Sequence, residues 1–358
     1  MQAAVPPLDS LMNIPVMAMP VISHSPETGW EFGAAAQGWF RTMPQAKPSI
    51  VNVGGAWSLN RQWFVHGGGV LYFGSLTDTL PHTGKHWMVR FNGGYRYYPD
   101  IYYGRGNTLT SPDGRPGIGY LSRRGVAQVE ALAGLPHHWW LGPAFHFLHE
   151  QTDSLRATPT DANILTTTRM WGLGAVVQYD TRDILFYPTR GMLFKASLLH
   201  YEPALGADCR LTALHADLRQ YLALGRGFIF AWQFRTDWAL GNSSELPFQL
   251  LPTLGGQDLI RGVRRNMFRD NAMMALQGEL RIPLWNFLRA CVFAGIGDVY
   301  DTADWQWTMP KVGYGLGLRM SINRAKVNLR FDIARNNYDN RWNNMDSWSF
   351  YLSATEAF

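Results

Sequence analysis

Four kinds of residue in this chain could do chemistry: ten histidines, two cysteines, scattered serines, and the arginines Arg261, Arg264, Arg265 and Arg269. Metal ligation needs histidines at a fixed spacing, as in His-Glu-x-x-His, and no such spacing occurs. His137-His138, followed by Trp139-Trp140, reads instead as a strand starting at a membrane interface. Nucleophilic catalysis by serine needs a base on the same rim and, in one common form, a Gly-x-Ser-x-Gly elbow; the elbow is absent. Gly67-Gly68-Gly69 lies inside a predicted strand and marks curvature rather than a phosphate loop. Cys209 and Cys291 fall in separate predicted strands, which gives neither a disulfide framework nor a metal cluster. The reading is therefore of a non-enzyme with no catalytic residue, no metal and no cofactor. The arginines remain. A guanidinium taken out of water needs carboxylate or carbonyl acceptors, because its donors are costly to leave unpaired. On pattern alone Arg261 reads first as a solvated loop arginine beside three others.

The elements that would position these residues follow from composition and periodicity. The 358 residues are 46% hydrophobic and 14% aromatic, averages that would also fit a soluble protein of two or three domains. No stretch approaches the ~18 uninterrupted apolar residues of a spanning helix, so a helical membrane protein is excluded and a closed barrel is the remaining membrane option. The 36 glycines and the 15 Trp, 15 Tyr and 19 Phe suit a sheet that uses glycine for curvature and aromatics at the lipid headgroups. The formal charge of +5 is spread along the chain with no basic block, which argues against nucleic acid and for phosphate-bearing lipids as the anionic partner.

Period-2 alternation is cleanest near the C-terminus. In 326–336, Val327, Leu329, Phe331 and Ile333 share one face and Asn328, Arg330, Asp332 and Ala334 the other. In 311–323, Val312, Tyr314, Leu316, Leu318 and Met320 alternate with Gly313, Gly315, Gly317, Arg319 and Ser321. The last segment, 347–358, ends on Phe358; a terminal Phe is common in outer-membrane barrels, where it marks the strand that closes the wall. Thirteen further candidates, near 14–23, 30–41, 49–59, 62–73, 86–98, 119–134, 138–150, 165–179, 190–203, 209–222, 226–240, 268–281 and 287–300, bring the number to about sixteen, even as a single-chain barrel requires. Tight connections at 224–227, 283–286 and 323–326 alternate with long ones at 152–165, 241–267 and 336–347. Short turns are expected to face the periplasm, long loops the outside, and both termini the periplasm. The expected architecture is all-β: one transmembrane up-and-down antiparallel barrel over 14–358, preceded by a short periplasmic segment, 1–13. Met1-Gln2-Ala3-Ala4-Val5-Pro6-Pro7 lacks the regions of a signal peptide and reads as a mature form with an added start Met.

The stretch from Leu254 through Ile260-Arg261-Gly262-Val263 to Asp270, with Gln277-Gly278-Glu279-Leu280-Arg281-Ile282-Pro283-Leu284, resembles the bacterial surface-antigen barrel of the BamA/TamA superfamily. Ser25-Pro26-Glu27-Thr28-Gly29 is similar to that family's first extracellular turn, and Tyr103-Gly104-Arg105-Gly106-Asn107 to its Phe/Tyr-Tyr-Gly-x-Gly-Asn segment. Tyr179-Asp180-Thr181-Arg182-Asp183 with Tyr187-Pro188-Thr189-Arg190-Gly191 is similar to its mid-barrel connection. The resemblance implies that the loop after the eleventh strand tucks into the lumen and that Arg261 pairs with acidic groups on the inner wall. Alternation places Glu279 in the lumen with Gln277 and Arg281, and Asp298 on a neighbouring strand; either could accept from Arg261. Two positions depart from the family pattern: Val263 replaces an aromatic, and Gly295 stands where many members carry Asp. The ~13 residues before the first strand cannot form a POTRA domain. The resemblance implies a role in outer-membrane protein biogenesis, or as a subunit of an assembly or export complex, with outer-membrane or periplasmic assembly proteins, lipids and lipopolysaccharide as partners. A non-catalytic pore or structural scaffold is the alternative.

Overall fold

A computed structural model describes residues 16–42, 46, 48–74, 86–107, 117–154, 167–184, 187–242, 246–285, 287–302, 309–321, 328–337, 348–353 and 357–358. The segment 1–13 lies outside the described residues. The barrel opens with β1 (Val16–Ser25), β2 (Gly29–Phe40), β3 (Ser49–Ser58), β4 (Trp63–Phe73), β5 (Trp87–Tyr102) and β6 (Ile118–Gly134). Next come β7 (Trp139–Ser154), β8 (Thr167–Asp180), β9 (Gly191–Tyr201), β10 (Leu211–Gly225) and β11 (Phe228–Leu240). After a long loop follow β12 (Ala272–Trp285), β13 (Leu288–Tyr300), β14 (Lys311–Ser321), β15 (Asn328–Asn336) and β16 (Trp348–Ser353). Each strand pairs antiparallel with its sequence neighbour, and β16 returns to β1, so the sheet is a closed barrel of sixteen strands. No helix among the described residues is long and apolar enough to cross a membrane.

Alternation along each strand sorts the wall into two faces. On β14 the outward Leu316 is 63% exposed, while the inward Arg319 is 1% exposed. The same parity turns Arg90, Glu130, Glu279 and Asp332 inward and Val53, Leu173, Leu276 and Phe350 outward. An exposed apolar outer face and a charged inner one invert the usual globular arrangement, as a wall standing in hydrocarbon must.

The buried apolar core lies between the wall and the loop 241–271, which enters the lumen after β11. Leu254, Leu259, Ile260, Val263, Met267 and Phe268 of the loop pack on Met273, Ala275 and Val299 of β12 and β13. Inside this loop Thr253–Leu254 and Phe268–Arg269 pair as a two-stranded ribbon. That ribbon is why β12 starts at Ala272 rather than at the expected 268: Phe268 and Arg269 extend, but pair within the loop.

The ring closes between β1 and β16. β1 pairs β2 over its whole length, from Val16 opposite Gly38 to Ser25 opposite Gly29. Toward β16, the described residues of β1 give one aligned pair, His24 opposite Leu352, supplemented by His24 Nδ1 and the Phe350 carbonyl at 3.1 Å. The expected last strand, to 358, is described as β16 through Ser353; 354–356 lie outside the described residues. Phe358 leaves the wall and is buried against Tyr221 and Ala231 on the luminal side of β10 and β11. Alternation cannot separate a terminal aromatic that faces lipid from one that turns inward.

Candidate functional site

The loop reaches the wall through the turn Ile260-Arg261-Gly262-Val263, closed by the Val263 amide donating to the Ile260 carbonyl at 3.1 Å. Ile260 sits at φ +53°, a costly region for a β-branched residue, and Gly262 at φ +99°. A Cβ at Gly262 would also lie 2.7 Å from the Arg335 carbonyl oxygen, so glycine is required on both counts. The Gly262 amide donates to the Tyr351 hydroxyl at 3.1 Å, and its carbonyl accepts from Asn336 Nδ2 at 2.9 Å. On β14, a side chain at Gly313 would begin 2.1 Å from the Arg261 carbonyl; the backbone of the turn lies flat on the wall there.

This seating drives Arg261 into a buried charge cluster. Its Nη1 donates to Asp332 Oδ2 at 2.8 Å and its Nη2 to Glu279 Oε2 at 2.9 Å. The guanidinium lies 3.6 Å from the centroid of the Phe293 ring. Arg281 donates to the other Glu279 oxygen at 2.6 Å, and Arg319 donates to Asp332 Oδ1 at 2.5 Å. Arg330 lies 3.5 Å from Asp332 Oδ2 and donates to the Gln257 carbonyl at 3.2 Å, at the entrance of the turn. All six side chains are at most 1% exposed. Four guanidiniums share two carboxylates, and the Cys291 thiol donates to Glu279 Oε2 at 3.5 Å, so both carboxylates are engaged by the protein itself. The arrangement suits holding a loop in one register, the attested use of a buried ionic network, rather than acid–base chemistry.

Of the two acceptors expected for Arg261, the structure brings Glu279 to it and keeps Asp298 away. Asp298 is on the opposite face of its strand from Phe293; it lies 3.6 Å from Lys311 Nζ and caps the Val299 amide at 2.9 Å. The second acceptor is Asp332. Alternation had already placed Asp332 with Arg330 on the polar face of its strand, but its distance in sequence from Arg261 concealed the pairing. Phe293 and Tyr351 were likewise missed, since an aromatic in an alternating strand reads as lipid-facing until the register is known. The departure at Gly295 also has a cause: a Cβ there would meet Ile260 Cδ1 at 2.7 Å. The side chain of Ile260 fills that space. Val263 is fully buried, its carbonyl accepting from the Gly256 amide at 2.9 Å.

The other sequence segments converge on the same loop. Glu27 in the first turn accepts from the Arg265 amide at 2.8 Å. The Gly106 amide donates to the Arg269 carbonyl at 2.8 Å, and Arg105 Nε to Asp270 Oδ1 at 2.8 Å. From the other end of the barrel, the Pro188 carbonyl accepts from Arg281 Nη1 at 3.1 Å while the Tyr187 ring lies 4.6 Å from the same guanidinium. Arg281 thus joins the cluster to the connection between β8 and β9.

A luminal loop pinned by an arginine turn to the inner wall of a sixteen-strand barrel narrows the comparison with known proteins, and a family model decides it: the Omp85 superfamily domain matches residues 144–358. The chain belongs to the Omp85 superfamily. As an Omp85 barrel it is a protein of a Gram-negative type outer membrane. Among solved structures it is similar to BamA from Haemophilus ducreyi lacking POTRA domains 1–3, with a TM-score of 0.63 at 13% identity, covering 96% of this chain and 71% of that one. CdiB from Escherichia coli gives 0.62 at 12% identity over 98% of this chain and 63% of that one. CdiB from Acinetobacter baumannii gives 0.58 at 14% over 94% and 59%. The Omp85 chain thus spans less than two thirds of either CdiB. At these identities the likeness is one of fold. No curated protein matches the sequence.

Proposed function

We propose that this Omp85 barrel handles other polypeptides at the outer membrane, as an insertion factor for outer-membrane proteins or as a subunit of an assembly or export complex, and that it does so at the edge of β1. The reading is supported by membership of the Omp85 superfamily and by a fold shared with BamA and CdiB, in a barrel whose β1 is zipped to β2 along its whole length and closes on β16 at His24 and Leu352. A strand parted from its neighbour in hydrocarbon leaves backbone donors and acceptors unpaired at a cost of several kcal/mol, so an opened β1 edge would be a template for another strand. Pro20, within β1, removes one donor from this strand. An incoming segment pairing with β1 would satisfy the edge and enter the membrane by the same step. The long connections would face outward and the termini the periplasm, where assembly proteins could reach the seam from below. Lipid and lipopolysaccharide would surround the wall, and no bond-making step is required.

The test is a reversible staple at the aligned pair, His24→Cys with Leu352→Cys, in purified barrel and in cells. Oxidation should stop client insertion or complex function, and reductant should restore it. Full activity with the staple closed would defeat the reading.

A further inference from the structure

The lumen beside the loop contains a cavity of about 320 Å³ whose lining includes Arg96, Arg124, Arg235, Arg265, Glu150 and Asp237. Arg96 of β5 and Arg124 of β6 are directly opposite each other on the inner face. Like charges in that relation destabilise a sheet unless something lies between them. This barrel contains the same arrangement at Arg289 opposite Arg319 and at Arg319 opposite Arg330; in the latter Asp332 reaches both, and in the former the Arg289 guanidinium lies over the Tyr187 ring at 5.0 Å. At the Arg96 and Arg124 pair no described carboxylate plays that part. Glu150 comes within 3.6 Å of Arg124 only, and one of its oxygens already accepts from Ser122 at 2.5 Å. Arg96 has the Tyr98 ring at 5.6 Å, and its buried Nε has no hydrogen-bond partner among the described residues. A third cation, Arg265, enters from the loop, held through its backbone by Glu27. Asp237 is engaged by Arg235 at 2.9 Å and so does not offset the others.

We infer that this cavity binds a phosphate-type anion between Arg96 and Arg124, with Arg265 as its lid. Planar guanidiniums on two strands suit a tetrahedral oxyanion, which offers several acceptors in different directions. The phosphate could be free or the head of a lipid, and the two sources separate experimentally. The purified barrel is titrated with inorganic phosphate by calorimetry, and in parallel its tightly bound phospholipid is quantified by phosphorus analysis after mild-detergent extraction.

Saturable binding of inorganic phosphate, weakened at least about tenfold in Arg96→Gln/Arg124→Gln, is expected for a free anion. Phospholipid at about one per barrel, lost in the same variant, is expected for a headgroup. Arg96→Lys keeps the charge and should keep most of the binding, which separates loss of the site from loss of the fold. If neither ligand binds, or if the double variant binds as the parent does while melting at the same temperature, the inference is wrong.

Discussion

At the scale of single residues, the cluster around Arg261 makes an ordering of variants that charge counting decides. Removing Arg261 leaves Arg281, Arg319 and Arg330 on the same two carboxylates, so both acids keep partners. Removing the charge of Asp332 instead leaves three buried guanidiniums, Arg261, Arg281 and Arg319, on Glu279 alone, and Arg330 with Asp258 at 3.5 Å. Asp332→Asn should therefore lower stability by about 3–5 kcal/mol, the range for breaking a buried pair, and Arg261→Ala by less, about 1–3 kcal/mol. Urea unfolding in lipid vesicles followed by tryptophan fluorescence checks the order; a reversed order would mean that the loop contact rather than the charge balance sets the cost. Gly295→Asp should also destabilise, although it supplies a carboxylate beside the arginine cluster. Its Cβ collides with Ile260 Cδ1, and the added variant Ile260→Ala should recover part of the loss in the same assay.

The elements were largely legible from the sequence because a barrel strand announces itself by alternation, and alternation depends only on which solvent each face meets. The sixteen segments, the luminal side of Glu279 and the polar face of Asp332 came from that period alone. What alternation could not supply was register: which inward acid lies beside which inward arginine is fixed by pairing across strands, so Asp298 and Asp332 were indistinguishable as partners of Arg261 until the ladder was known. The start of β12 and the inward turn of Phe358 were hidden for a related reason, since extended or apolar residues look alike whether they join the wall or the interior. Two tests belong to this scale. Leu316→Arg places a charge on the lipid face and should cost about 2–4 kcal/mol near the bilayer midplane, whereas Gly315→Ala adds no charge but brings a Cβ within 2.0 Å of the Ile333 carbonyl and should block folding of the β14–β15 hairpin. In the connection between β8 and β9, partial burial raises the Asp183 carboxyl, but the Thr189 hydroxyl and the amides of Thr189, Arg190 and Ile184 outweigh it and hold the group below its ordinary value. The stabilisation is then present at neutral pH and lost as pH falls through the lowered value; Asp183→Asn should flatten that acid limb in a pH series of unfolding midpoints.

For the whole molecule, the barrel is a ring of sixteen strands closed between β1 and β16. From β12 to β14 the ladder is long, the glycines of β14 let the loop lie on the wall, and the arginine cluster ties the 241–271 loop to both ends of the barrel. Beyond β15 the ring closes where β16 meets β1, with His24 opposite Leu352. If clients enter at β1, as proposed, the barrel should open locally at this seam well before it unfolds as a whole. Amides of Val16–Ser23 and of Trp348–Ser353 should therefore exchange with deuterium orders of magnitude faster than those of β12, β13 and β14 in the same vesicles. Oxidising the His24→Cys/Leu352→Cys staple should slow the first group and leave the second unchanged. Arg261→Ala should speed exchange in the loop and β14 with little effect on Val16–Ser23 of β1, because the cluster is built on β12, β14 and β15 and reaches β16 through Tyr351. If both perturbations moved both groups together, the barrel would be a single cooperative unit, and an edge that opens independently of the plugged lumen would lose its physical basis.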